Sequence, residues 1–225
     1  MAIDRTEIVE AALQLLNDVG IERLSTRALA DRLGVQQPAL YWHFRNKSAL
    51  LDAVNEEMLL RYHRQRVPSP RQTWDKFIVA HARSFRQALL AVRDGARLAA
   101  GTHPTTRQFA DAERQLELYV AAGFSPEQGL SIALGVARYV LGFVLEEQNE
   151  RERSDEELRD AQDPMDAVAA FPLLQSAIAP LIQAGTINTE DMFERGLAFM
   201  LDGMRQCLGR PATPTTRRRK PTASH

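Results

Sequence analysis

Apolar residues recur along this 225-residue chain with a helical period almost throughout, and no stretch alternates in the two-residue rhythm of a half-buried strand. In the first segment Ile8, Ala12, Leu15, Leu16 and Val19 form one stripe, with Asp4 placed to cap its start and Gly20 to stop it. Ser25 is positioned to cap a second helix that buries Leu29 and Leu33 and ends at Gly34, with Leu24 where a hydrophobic staple belongs. A short third helix is expected from Gln36 or Gln37. Pro38 falls in its first turn, where a missing N–H costs little. Asn46 then caps a long fourth helix running through SALLDAVNEEMLLRYHRQ. Further helices are expected at about Thr73 to Ala91, Gly95 to Ala100, Thr106 to Ala122, Pro126 to Glu150, Ala167 to Leu181 and Glu190 to Leu208. The fold class implied is all-α, with no internal repeat of solenoid length.

Pro68 and Pro70 break the pattern and suggest a division into an N-terminal unit of residues 1–66 and a second of 67–208. Residues 209–225, GRPATPTTRRRKPTASH, are basic, aperiodic and rich in proline and threonine, and read as a disordered tail. The charged run RERSDEELRDAQDPMD reads as a mobile connection. Two late helices are apolar over much of their circumference: LSIALGVARYVLGFVLEEQ, and a last one with Phe193, Leu197, Met200, Met204 and Leu208 in one stripe and Phe199 and Leu201 beside it. Such helices need burial on two sides, and a second copy of the chain supplies the second side, so a homodimer is expected. The alternative is that both helices are central in a monomer.

The net charge of −1 argues against a uniformly polyanion-binding protein, yet charge is unevenly spread. From Arg23 to Lys47 the bases Arg23, Arg27, Arg32, Arg45 and Lys47 face a single acid, Asp31. Cys207 is the only cysteine, which rules out an internal disulfide, and the first residues hold no apolar secretory run; the expected location is the cytoplasm. No uncharged stretch reaches the roughly 20 apolar residues of a membrane span, so no membrane partner is expected.

Within this basic region the run Tyr41, Trp42, His43 and Phe44 cannot face inward as a whole, because successive helical side chains turn by about 100°. Leu40 and Phe44, four apart, can anchor the short helix and leave Gln37, Pro38, Tyr41 and Trp42 outward. A capped helix, a glycine turn and a short second helix describe a helix-turn-helix, whose second helix lies in the DNA major groove. Gln37 suits a paired contact to adenine and Arg27 a guanine edge. Tyr41 offers a ring to a thymine methyl, and Trp42, His43 and Lys47 can serve the phosphates. The plainer reading makes the aromatic run packing and the cations solvated surface.

Residues 1–66, above all LSTRALADRLGVQQPALYWHFRNKSALLDAV, resemble the DNA-binding domain of the TetR family of bacterial transcriptional repressors, and the phrase QPALYWHFRNKSALLDA is similar to that of its tetracycline repressors. The likeness continues in QTW at Gln72 to Trp74, SFRQALL, RDGA, GTHPT, the Gln115–Leu116 pair, GFS and LGFVLEEQ. The resemblance implies a homodimeric repressor that binds a palindromic operator in double-stranded DNA and is released by a small-molecule inducer. It places Thr26, Arg27, Gln37, Pro38, Ala39, Tyr41, Trp42, His43 and Lys47 at operator-contacting positions, Ala39 standing where tetracycline repressors usually carry threonine.

For the effector cavity the resemblance implies His63, His81, Phe85, Ala99, Thr102, His103, Pro104, Gln115, Arg138 and Glu146. In tetracycline repressors the inducer is a magnesium chelate held in part by a histidine, and that position here is Ala99, which cannot ligate a metal. His81 replaces an asparagine, His103 an arginine and Arg138 a second histidine. No cofactor is required on this reading. An inducer-bound divalent metal would have Glu146 and His63 as its best ligands, and a transition-metal site from His63, His81, His103 and Glu146 is a further variant. The expected effector is polycyclic or aromatic, bound without the magnesium bridge. Rival readings are an activator or an effector-independent DNA-binding regulator of the same fold, or a metal-dependent helical enzyme. The last lacks any Glu-x-x-His pair, glycine phosphate loop, GxSxG or CxxC.

Overall fold

A computed structural model describes residues 3–151, 164–183 and 186–208. Helix α1 (Arg5–Val19) begins with a capping box, the Glu7 amide donating to Asp4 Oδ1 at 2.8 Å and the Asp4 amide to Glu7 Oε2 at 3.1 Å. It ends at Gly20, whose φ of 77° is a conformation other residues resist. Helix α2 (Thr26–Leu33) is capped by Ser25 and stopped by Gly34 in the left-handed region. Leu29 is fully buried as expected, whereas Leu33 is only half-buried against the core. Helix α3 (Gln37–Tyr41) starts without a side-chain cap and is shorter than the aromatic run suggested, so Trp42 and His43 lie in the turn that follows.

Helix α4 (Lys47–Tyr62) is capped by Asn46, which accepts from the Ala49 amide at 2.8 Å. It stops three residues short of Gln65, because His63 leaves the helical region to bond Ser84 of the next helix. There α5 (Trp74–Leu90) begins, the helix at the centre of the second unit, packed on α4 and later on α8. Helix α6 (Gly95–Ala100) follows through a tight turn in which any Cβ on Gly95 would overlap the Leu89 carbonyl. Helix α7 (Thr106–Ala121) is capped by Thr105, and α8 (Pro126–Arg151) crosses α5, α6 and α7.

The helix expected over Ala167 to Leu181 is broken. It appears as α9 (Pro164–Ala167), α10 (Pro172–Ile178) and a 3₁₀ turn at Ala179–Leu181. Pro172 and Pro180 are the reason: each lacks an N–H, and Pro172 holds the residue before it, Phe171, outside the helical region at φ −123° and ψ 82°, while Ala179 before Pro180 stays helical and the chain tightens into the 3₁₀ turn. A two-stranded hairpin follows, β1 (Ile182–Gln183) against β2 (Thr186–Ile187), in a chain that showed no strand pattern. Helix α11 (Thr189–Cys207) closes the described chain. Its buried row is Phe193, Leu197 and Leu201 rather than the stripe ending in Met204 and Leu208, which are half-buried. Most of the charged connection and the whole basic tail lie outside the described residues.

A buried ion pair ties three helices of the second unit. Arg86 on α5 makes a bidentate bond to Glu147 on α8, at 2.6 and 3.0 Å, also pairs with Glu190 on α11, and lies 4.9 Å from the Phe193 ring centre. A second set of contacts joins the first unit to the second. Asp94 precedes α6 with φ 56° and accepts the Ile21 amide at 2.7 Å, while Arg97 reaches Glu22 at 2.8 Å. The His103 amide donates to Asp52 of α4 at 2.9 Å.

Helix α8 is the one element among the described residues that is long and apolar enough to cross a membrane by length and composition, contrary to the expectation that none would be. One face of it, with Val136, Val140 and Val144, is buried in the protein; Leu130, Leu134 and Leu145 on the other are exposed.

Candidate nucleic-acid interface and effector cavity

The first site is built on α2 and α3. Leu40 and Phe44 are 2 % and 5 % exposed and fix the short helix to the core, with Arg5 stacked 4.9 Å from the Phe44 ring centre. The opposite face is open: Trp42 is 89 % exposed, and Arg27, Pro38, Tyr41, His43 and Lys47 are exposed as well. Between the helices, Gln37 Nε2 donates to Thr26 Oγ1 at 2.7 Å and, less well, to the Tyr41 hydroxyl at 3.4 Å. Thr26, Gln37 and Tyr41 are therefore one preorganised row, and Gln37 Oε1 is left as an acceptor. Ala39 is half-buried beside it. The Thr26–Gln37 bond is not visible from residue spacing alone, since it crosses the turn.

The second site lies where α4, α5 and α7 meet. Phe77, His81, Ser84 and Phe85 share one face of α5 by their spacing. The His63 ring stacks on Phe85 at 5.4 Å and meets His81 at 4.6 Å. His63 Nδ1 is 3.0 Å from Ser84 Oγ, which also accepts the Gln65 amide; His81 Nδ1 is 2.8 Å from the Gln65 carbonyl. Gln115 Nε2 donates to the Arg66 carbonyl at 2.7 Å, and Arg66 pairs with Asp111 at 3.0 Å. Burial holds both imidazoles neutral, that of His63 with a pKa lowered to about 2 and that of His81 lowered from its ordinary value. Burial likewise raises the pKa of the Tyr119 hydroxyl.

His63, His81, Phe85 and Gln115 are thus brought together. Thr102 is half-buried and its hydroxyl donates to the Ala99 carbonyl at 3.2 Å. His103 and Pro104 are exposed, His103 beside Asp52, and Arg138 and Glu146 are exposed on α8, so the chain alone does not gather these four with the histidines. The neighbouring Glu147, not Glu146, points inward to Arg86. Ser84, Gln65, Arg66, Asp111 and Tyr119 were missed in the sequence, although Asp111, Gln115 and Tyr119 recur at four-residue spacing on α7. A magnesium-holding donor set does not fit these residues: Ala99 offers no ligand, Glu146 stands apart from His63, and no three His, Cys, Asp or Glu side chains converge among the described residues.

A helix-turn-helix unit packed through α4 on a helical body with buried polar side chains has the organisation of a ligand-responsive DNA-binding regulator. The chain belongs to the TetR family: residues 8–54 match the model for bacterial regulatory proteins of the tetR family, and residues 67–208 that for the tetracyclin repressor-like C-terminal domain. It is 46 % identical over 197 residues, 88 % of each chain, to the tetracycline repressor protein class A from transposon 1721 of Escherichia coli. Among solved structures, TetR from Acinetobacter baumannii AYE shares 39 % identity with a TM-score of 0.67, covering 91 % of this chain and 97 % of that one. TetR(class A) in complex with 5a,6-anhydrotetracycline and magnesium shares 38 % with a TM-score of 0.69, covering 91 % and 99 %. The protein is a ligand-responsive transcriptional repressor.

Proposed function

We propose that the chain works as a cytoplasmic homodimer whose two α2–α3 units, within residues 1–66, read the half-sites of an inverted-repeat operator, and that an aromatic effector bound in residues 67–208 releases it. The observation that carries the DNA reading is the Thr26–Gln37–Tyr41 row standing open above a firmly anchored Leu40 and Phe44. Docking on adenine needs one Gln37 N–H, and the weak 3.4 Å bond to Tyr41 is the one to give up. Arg27 and Tyr41 read base edges beside it; Trp42, His43 and Lys47 hold the phosphates, which makes affinity fall with salt.

The exposed leucines of α8 and Phe199 of α11, 77 % exposed, support a partner subunit over that face rather than lipid, since Arg138 and Glu146 share the helix surface. Binding rather than catalysis is the work of such a molecule. The effector differs from a magnesium–tetracycline chelate because Ala99 and His81 change the donor set. Titration with anhydrotetracycline, with and without magnesium, tests this: weak, metal-indifferent binding is expected, and tight metal-dependent binding would refute it.

A further inference from the structure

We infer that Gln148 is a positioning residue for DNA reading: it holds the turn between α5 and α6 in the form that grips the reading head, and so fixes which separation of operator half-sites a dimer accepts. The inference rests on the operator reading above and names the side chain of the second unit that sets its geometry.

Backbone groups at the end of a helix need partners from outside it. Were α5 to continue, the Arg93 amide would go to the Leu89 carbonyl, four residues back. It donates instead to Asn17 Oδ1 on α1, at 2.9 Å. The Leu89 carbonyl is left over, pressed against Gly95, where no Cβ would fit. Gln148 of α8 supplies the missing partner. Its Nε2 donates to the Leu89 carbonyl at 3.0 Å and to the Val92 carbonyl at 2.9 Å, and its Oε1 accepts the Ala96 amide in the first turn of α6 at 3.1 Å. Both hydrogens and the oxygen of one amide are thus spent on the backbone of one turn. Glutamate has no such donors, leucine has neither function, and asparagine is a methylene too short. The residue before it, Glu147, is clamped to Arg86, which fixes this end of α8 on α5.

The turn so held is the one that meets the reading head. Asp94, with φ 56° and 5 % exposed, accepts the Ile21 amide at 2.7 Å; Arg97 reaches Glu22 at 2.8 Å, and the Arg93 guanidinium donates to the Asp18 carbonyl at 3.2 Å. These bonds seize the end of α1 and the link to α2, one of the two helices of the reading face. A left-handed aspartate persists only where its surroundings over-determine it, and Gln148 bonds the backbone on both sides of Asp94, at Val92 and Ala96. Without Gln148 the Leu89 carbonyl recovers the Arg93 amide, and Asn17 and Ile21 lose their partners together. A head released there swivels, and two swivelling heads accept more than one half-site separation.

The test uses the full chain and two readouts. In ¹H–¹⁵N spectra the Ile21 amide, bonded to a carboxylate in the wild type, should lose in Gln148→Leu about half or more of the downfield shift that Asp94→Ala removes, although Gln148 does not touch Ile21. The DNA probes are the inverted repeat that the wild type selects from a random pool and the same duplex with one base pair inserted at its centre. The wild type should prefer the first by about tenfold or more, and Gln148→Leu and Asn17→Ala should each cut this to about threefold or less, with no further loss in the double variant. Asn17 is exposed on α1, so Asn17→Ala carries the spacing test even if Gln148→Leu does not fold. An unmoved Ile21 signal in Gln148→Leu, a preference kept at the wild-type level in the variants, or additive losses in the double variant would overturn the inference. If the wild type selects no inverted repeat, the operator reading fails, while the Ile21 signal still decides whether Gln148 holds the turn.

Discussion

Gln37 shows how a single side chain can be both structural and legible. Its position, three residues before the buried Leu40, puts it on the open face, and its bond to Thr26 holds the amide in place before any DNA arrives. Gln37→Ala should lower stability by no more than about 1 kcal/mol, through loss of the part-buried bond to Thr26. It should weaken operator binding by about 1–3 kcal/mol with discrimination relaxed at one base pair per half-site, as read by fluorescence anisotropy on a set of point-mutated duplexes. The two buried histidines carry a different prediction. Their folded pKa values lie below the unfolded value, so the unfolded chain binds more protons as pH falls below about 6.5, and the stability held at neutral pH is lost progressively toward lower pH. For His63 the slope should approach about 1.4 kcal/mol per pH unit well below pH 6.5, with His81 adding in the same direction, and urea midpoints from neutral to mildly acidic pH measure it. The resemblance singled out His63 and His81, and the structure brings the two rings together. Their hydrogen-bond partners were not readable, because the Gln65 carbonyl and Ser84 reach them across the fold.

Among the elements, α1 to α4 were written into the chain: Asp4, Ser25 and Asn46 each cap where expected, and Gly20 and Gly34 each stop a helix. Elsewhere apolar content masked the local chemistry that ends an element. Pro172 and Pro180 divide what the hydrophobic pattern joined, and α3 ends at Tyr41 although the aromatic run continues. The turn between α5 and α6 shows a further element that no pattern announced. Asp94, 5 % exposed and in the left-handed region, grips the Ile21 amide at the edge of the reading head. Asp94→Ala should cost about 1–3 kcal/mol of stability by leaving that amide unpaired. Effector affinity should survive, while operator release on adding effector becomes less complete; isothermal titration and anisotropy on the same variant separate the two. Glu147→Ala, by contrast, leaves Arg86 half-paired in a mostly buried place and should lower stability by about 3 kcal/mol in urea unfolding.

At the scale of the molecule, the two units are joined by the packing of α4 on α5 and α6 and by polar bonds at its edge: the Asp94 turn to Ile21, Arg97 to Glu22, the Arg93 amide to Asn17 and the His103 amide to Asp52. A ligand can shift such a joint only by binding one arrangement more tightly than the other. On the proposed reading a second copy supplies the second reading head, and the exposed apolar positions of α8 and α11 are the surface expected to meet it. Phe199→Glu should convert the dimer to monomer in light scattering and abolish cooperative operator binding while preserving helicity. The most direct test of the central claim selects duplexes from a random pool with the full-length protein at physiological salt. The account predicts enrichment of a two-fold symmetric inverted repeat bound by one dimer, lost in Gln37→Ala; recovery of no inverted repeat above random sequence would contradict it.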